Sequence, residues 1–238
     1  MCSSDSDRPA VLAHLRFLDD RESFAGLNLA QRFRRIHDTH LWGAPMSSSG
    51  LGSEIEATAA LRAELPRLLA KLGVSSLLDA PCGDASWINR ADIGVSIFGV
   101  DIVPVLIESL QARADAGEIK GEYRLADITV DALPRCDAIL CRDCLVHLSF
   151  ANIERAVANF AASGATWLIA TTFPDWQANA DCEDGDWRAL NFERAPFHWG
   201  APVELLNENC LEAGGGWRDK SLAVWRLADL CKRNSRSR

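Results

Sequence analysis

At 238 residues, with 48% hydrophobic and 24% charged side chains, the chain has an ordinary globular balance and room for one well-buried core with an appendage, which excludes a fibrous or wholly disordered architecture. A net charge of −8 argues against the clustered cations that a long nucleic acid demands. No apolar run reaches the ~18 residues that span a bilayer, and Met1-Cys2-Ser3-Ser4-Asp5 lacks the basic-then-apolar order of a leader, so a cytoplasmic protein without a membrane partner is expected.

Along the chain, helical patterns run from about Pro9 to Leu18 and around Ala30 to His37, followed by the polar stretch Ser47-Ser48-Ser49-Gly50-Leu51-Gly52-Ser53. Residues 1–53 therefore read as an N-terminal helical lid or cap. Glu54 to Leu72 carries Ala57, Leu61, Leu65, Leu68 and Leu72 at helical spacing and stops at Gly73, with Pro66 as a kink or restart. Residues 54–231 then alternate regularly. Strands are expected at Ser75 to Asp79, Ser96 to Val100, Glu122 to Ala126, Ala138 to Cys141 and Thr166 to Thr171. Helices are expected at Ala85 to Arg90, Pro104 to Ala116 and Ala151 to Ala162.

Between Phe173 and Pro202 the regularity lapses into a long segment with Trp176, Trp187, Phe192, Phe197 and Trp199. Its rings read either as the wall of a substrate site or as a cover for the sheet edge. Val203 to Asn207 and Ser221 to Ala228 lack a helix-length separation and are expected to pair as an antiparallel hairpin. The basic tail 232–238 reads as a solvated, flexible terminus. Cys141 and Cys144 form a C-x-x-C without a second pair at zinc spacing, which favours buried thiols over a metal or redox site.

In a mostly parallel sheet, ligands sit outside the carboxyl ends of the strands. Asp79, Asp101, Asp127 and Asp143 each follow a strand of that sheet, and Gly83 lets the backbone approach a ligand closely. One aspartate after a strand is an ordinary turn residue, but four in succession make a constellation. It supplies what an S-adenosylmethionine (SAM) pocket requires: a glycine turn for the methionine part, an acceptor for the ribose diol, a polar group with a backbone amide for adenine, and an open face toward a nucleophile.

Leu78-Asp79-Ala80-Pro81-Cys82-Gly83-Asp84 resembles the first motif of class I SAM-dependent methyltransferases, with Pro81 where many members have glycine. Phe98-Gly99-Val100-Asp101 resembles their ribose motif, Leu125-Ala126-Asp127-Ile128 their adenine motif, and Asp137 to Leu148 their fourth-strand motif; together these cover about Ser75 to Thr172. The resemblance implies a Rossmann-like, doubly wound, seven-stranded, mostly parallel α/β sheet with an antiparallel last hairpin.

It further implies that Asp101, with Ile102 beside it, holds the ribose and Asp127 the adenine amino group, while Ile128 packs on the ring. Asp79 would orient the methionine amino group, with Ala80, Cys82 and Gly83 around it, and Trp87 and Arg142 are further cofactor neighbours. Trp42 and Ser53 are lid candidates.

Methyl transfer needs alignment and exclusion of water, with a general base for an alcohol acceptor. Asp143 is the first candidate base, followed by His147 and His198; Arg142 is alternatively a charge partner or an anchor for an anionic substrate. No metal is expected. The acceptor is expected to be a small molecule, foremost a hydroxyl of a sugar or other metabolite. N-methylation of a small molecule or protein and cofactor binding without catalysis remain alternatives. An NAD-dependent oxidoreductase would need G-x-G-x-x-G where this turn has one glycine.

Overall fold

The computed structural model describes residues 8–234, excepting the side chains of 231–234; the tail expectation thus falls largely outside the described residues. The strands are β1 (Ser76–Asp79), β2 (Ser96–Asp101), β3 (Glu122–Leu125), β4 (Ala138–Cys141), β5 (Trp167–Thr172), β6 (Glu204–Asn207) and β7 (Ser221–Arg226). They form one seven-stranded sheet in the order β3-β2-β1-β4-β5-β7-β6. Strands β1 to β5 pair in parallel, and β7 runs antiparallel between β5 and β6. This is the expected parallel sheet closed by an antiparallel hairpin. All of β4 is buried, as befits a central strand covered on both faces.

Register aligns the functional ends. Asp79 pairs with Gly99 and Leu140, and Asp101 with Leu125, so the first four strands finish along one edge. Helices cover both faces. In α3 (Ala59–Lys71), Leu61, Leu65, Leu68 and Leu69 form the buried stripe. In α4 (Pro104–Asp115) the first helical position is proline, whose missing N–H costs nothing there. In α5 (Phe150–Ala162) the Ser149 side chain caps the start by accepting from the Asn152 amide.

Two expectations require correction. The helix expected at Ala85 to Arg90 shrinks to one 3₁₀ turn, Ile88–Arg90, because Ala85 adopts φ +49° and cannot continue a right-handed turn. The helix expected from Glu54 begins only at Ala59 and runs unbroken through Pro66.

The N-terminal helices α1 (Leu12–Asp20) and α2 (Leu29–Asp38) bury Phe17, Phe24, Ile36 and Leu41 as a satellite core. They are tied to the long connection: His14 Nδ1 lies 2.7 Å from Asp186 Oδ1, and Arg32 Nη1 donates to the Asp184 carbonyl at 3.0 Å. The aromatic rings of that connection divide their labour. Phe192 stacks on Trp199 at 4.0 Å and both meet Trp225 of β7 edge-on, so these rings cover the sheet as core. Such burial is worth about 2 kcal/mol per ring. Trp187 instead faces a pocket described below. Among the described residues no helix is long and apolar enough to cross a membrane.

Candidate active site

The turn after β1 is pinned to both neighbouring strands: Ala80 N–H donates to the Leu140 carbonyl and Cys82 N–H to the Val100 carbonyl, each at 2.8 Å. Gly83 has φ +54°, and a Cβ added there would overlap Ser49 Oγ. Its amide donates to Asp101 Oδ2 at 3.0 Å, while Asp101 Oδ1 accepts from the Val103 amide at 2.9 Å. The two acids at the ends of β1 and β2 are buried. Burial pushes Asp79 well above the ordinary carboxylate range, with Arg142 opposing and Asp101 adding to the rise. Burial also raises Asp101, against the pull of the Val103 and Gly83 amides. Asp127 Oδ1 accepts from the Thr129 amide at 2.8 Å and hydroxyl at 2.7 Å, which fixes the Asp127 side chain.

These residues surround one cavity of about 940 Å³ of non-protein space, mouth included. Asp79, Cys82, Gly83, Trp87, Asp101, Ile102, Asp127, Ile128, Arg142, Asp143 and His147 all line it, with Leu29, Phe33, His37, Trp42, Ser49 and Ser53 contributed by the N-terminal segment. Ala80 does not: it is fully buried, behind the turn.

Carboxylates hold the polar Ser47–Ser53 stretch as a strap. Asp84 Oδ2 accepts from Ser47 Oγ at 2.7 Å and the Ser48 amide at 3.1 Å, and Ser49 Oγ accepts from the Asp84 amide at 2.9 Å. At its other end Glu54 Oε1 accepts from the amides of Met46 and Ser47 at 2.8 and 3.0 Å. Asp84 carried no functional expectation, although its place beside Gly83 opposite a serine run was the available signal.

Beyond β4 lies a buried ion network. Arg142 Nη2 stands 2.6 Å from Glu208 Oε2 and 3.4 Å from Asp143 Oδ2, and donates to the Gly52 carbonyl at 2.7 Å. Lys220 Nζ stands 2.6 Å from Asp143 Oδ2 and 3.6 Å from Glu208 Oε2. The Arg142 charge is thus answered by Glu208 and Asp143, which fits the charge-partner alternative of its reading. Against the cost of burial, Lys220 and Arg142 hold the Asp143 carboxyl well below the usual range. Glu208 and Lys220 gave no motif; they reach the site only because the hairpin bonds the Glu208 amide to the Lys220 carbonyl at 3.0 Å.

His147 lines the same cavity with a fixed tautomer. Its Nδ1 lies 2.8 Å from the Asp186 carbonyl, which can only accept, so Nδ1 carries the hydrogen and Nε2 the lone pair. Burial pushes its pKa down to about 4, opposed by that carbonyl and by the Asp143 charge. The ring stacks on Trp42 at 4.5 Å. His198 is exposed and lines neither cavity. Cys141 and Cys144 are free, buried thiols.

A second, smaller pocket of about 430 Å³ adjoins the first, sharing Trp42, Ser49, Asp143 and His147 with it. Its remaining walls are Val11 to Ala13, strap residues Gly50 to Gly52, Trp187, Glu212 and Lys220. The Trp42 indole Nε1 is buried without a hydrogen-bond partner among the described residues.

No family model matches the chain, and no curated protein matches it in sequence. Solved structures do match in three dimensions. The methyltransferase domain of bacterial CtHen1 superposes with a TM-score of 0.53 at 13% identity, over 73% of this chain and 99% of that one. The N-methyltransferase NodS from Bradyrhizobium japonicum WM9 gives 0.52 at 17% identity, over 74% and 98% respectively. NodS in complex with S-adenosyl-L-homocysteine (SAH) gives 0.51 at 17% identity, over 74% and 89%. At such identities the likeness establishes the fold: the Rossmann-like fold of SAM-dependent methyltransferases.

Proposed function

We propose that the chain is an enzyme that transfers a methyl group from SAM to a small polar acceptor, with a hydroxyl as the nucleophile. The observation that carries this reading is the cavity that gathers the acids of all four strand ends and meets a second pocket across Asp143, His147 and Trp42. The donor set suits SAM. Asp101 retains lone pairs for a ribose diol beyond those used by Gly83 and Val103, and Asp127 has a second oxygen for the adenine amino group, with Ile128 against the ring. Asp79, costly to ionise where it is buried, suits an ammonium, and Gly83 lines the cavity beside it, where a methionine chain would run.

The sulfonium supplies an electrophilic methyl carbon. Of this chain's groups, His147 Nε2 takes the hydroxyl proton, and the Asp143 charge beside it favours the imidazolium that results. Residues 1–53 act as the lid over the 54–231 unit, and the 173–202 segment contributes Trp187 to the acceptor wall.

Calorimetric titration with SAM, SAH and NAD tests the reading, followed by measurement of SAH release in the presence of hydroxylated metabolites. Binding of SAM and SAH, but not NAD, is expected. Failure of both SAM and SAH to bind at high micromolar concentration would overturn the proposal, and binding of NAD alone would replace it with an oxidoreductase.

A further inference from the structure

The smaller pocket has an unbalanced charge inventory. Arg142 and Lys220 are answered by Asp143 and Glu208 through the short contacts described above. Of this network Asp143 and Lys220 line the pocket; Glu212 is a second carboxylate there, and no cation among the described residues forms an ion pair with it. Burial pushes the Glu212 carboxyl up, with Lys220 opposing and Asp143 adding to the rise. An unpaired carboxylate against Val11, Leu12 and Trp187 is costly, and a cationic ligand group removes that cost. Indole faces are themselves favourable surroundings for a cation.

Two further groups ask for a hydroxyl. The Trp42 indole N–H lacks an acceptor, and the His147 Nε2 lone pair lacks a donor among the described residues. Both residues stand at the junction with the larger cavity.

We infer, resting on the methyltransferase reading above, that this pocket seats a small acceptor carrying both a protonated amine and a hydroxyl, the amine paired with Glu212 and the hydroxyl at the Trp42 and His147 junction. The hydroxyl oxygen attacks the methyl carbon of the sulfonium as its proton passes to His147 Nε2. The O–CH₃ bond forms, the C–S bond breaks, and its electron pair stays on sulfur as a neutral thioether. The amine remains protonated and is not methylated, because its nitrogen lone pair is occupied.

The test compares probes of matched shape and different charge on the SAH-saturated protein: ethanolamine, ethylene glycol and glycolate, then glucosamine, glucose and glucuronate. In at least one trio the amine is expected to bind roughly tenfold tighter than its neutral analogue, equivalent to about 1.4 kcal/mol. Glu212→Gln should abolish that preference and leave SAH affinity unchanged, which also reports that the variant is folded. Equal affinity across both trios, tighter binding of neutral or anionic members, or no measurable amine binding at about 10 mM would overturn the inference. So would a preference that survives Glu212→Gln. Absence of SAH binding to the unmodified protein would instead remove the methyltransferase reading itself.

Discussion

His147 illustrates how one residue's surroundings set its chemistry. Its folded pKa is depressed to about 4 from an ordinary 6.5, chiefly by burial. The unfolded chain therefore takes up a proton as pH falls through 6.5, while the folded chain declines it until about 4. Between those values folding stability should drop by about 3 kcal/mol from this residue. Denaturant titrations of the unmodified protein and His147→Gln should differ in pH dependence by that amount, and identical slopes would contradict the assignment. For the same reason, the acid limb of the methyl-transfer profile should lie near pH 4 to 5 instead of 6.5, and His147→Gln should lower kcat about 100-fold while leaving SAH affinity within about twofold. Asp101 makes the opposite kind of contribution, to binding. Asp101→Ala removes a buried acceptor at the turn and should weaken SAH binding by about 3 kcal/mol, roughly 100-fold. An unchanged dissociation constant in a folded variant would exclude the ribose role.

Among the elements, the serine strap carries the clearest prediction. Asp84→Ala deletes the acceptor for Ser47 Oγ, the Ser48 amide and, through its other oxygen, the Ser86 amide. Stability should fall by about 2 kcal/mol, and hydrogen exchange should accelerate at 46–53 more than in the sheet. Unchanged protection there would mean that the strap is held by other contacts. The strap also marks a limit of reading from sequence. Strands such as Ala138–Cys141 were readable because continuous apolar character is what burial on both faces requires. Serine and glycine signal only the absence of a regular element, and the carboxylates that order them lie at Asp84 and Glu54, on either side of α3. The shortened helix at Ile88–Arg90 has a related cause: propensity favours a helix there, but the left-handed Ala85 beside the turn cuts it off. The aspartates of the cofactor corner were readable because strand ends locate them. Their chemistry was less so, since the two cations that depress the Asp143 carboxyl, Arg142 after β4 and Lys220 before β7, lie far apart in sequence and form no motif.

At the scale of the whole molecule, the sheet provides a fixed edge, and three separate segments are laid across it: α1 with α2, the strap, and the 173–202 connection. His14 with Asp186 and Arg32 with the Asp184 carbonyl fasten the first of these to the last. An acidic chain with net charge −8 also favours approach by a positively charged molecule, an effect that weakens as salt is added. The contact between Ser49 and Gly83 has a kinetic consequence. The residues that close over the glycine turn continue directly as Gly50 to Gly52, one wall of the smaller pocket. On the methyltransferase reading, a donor seated in the larger cavity before the acceptor reaches this wall is the expected sequence of binding. Ordered turnover is the expected outcome, with the methyl donor first on and the demethylated product last off. Initial-rate experiments should find SAH competitive with SAM and noncompetitive with the acceptor, while random-order patterns would mean that the wall assembles without its neighbour.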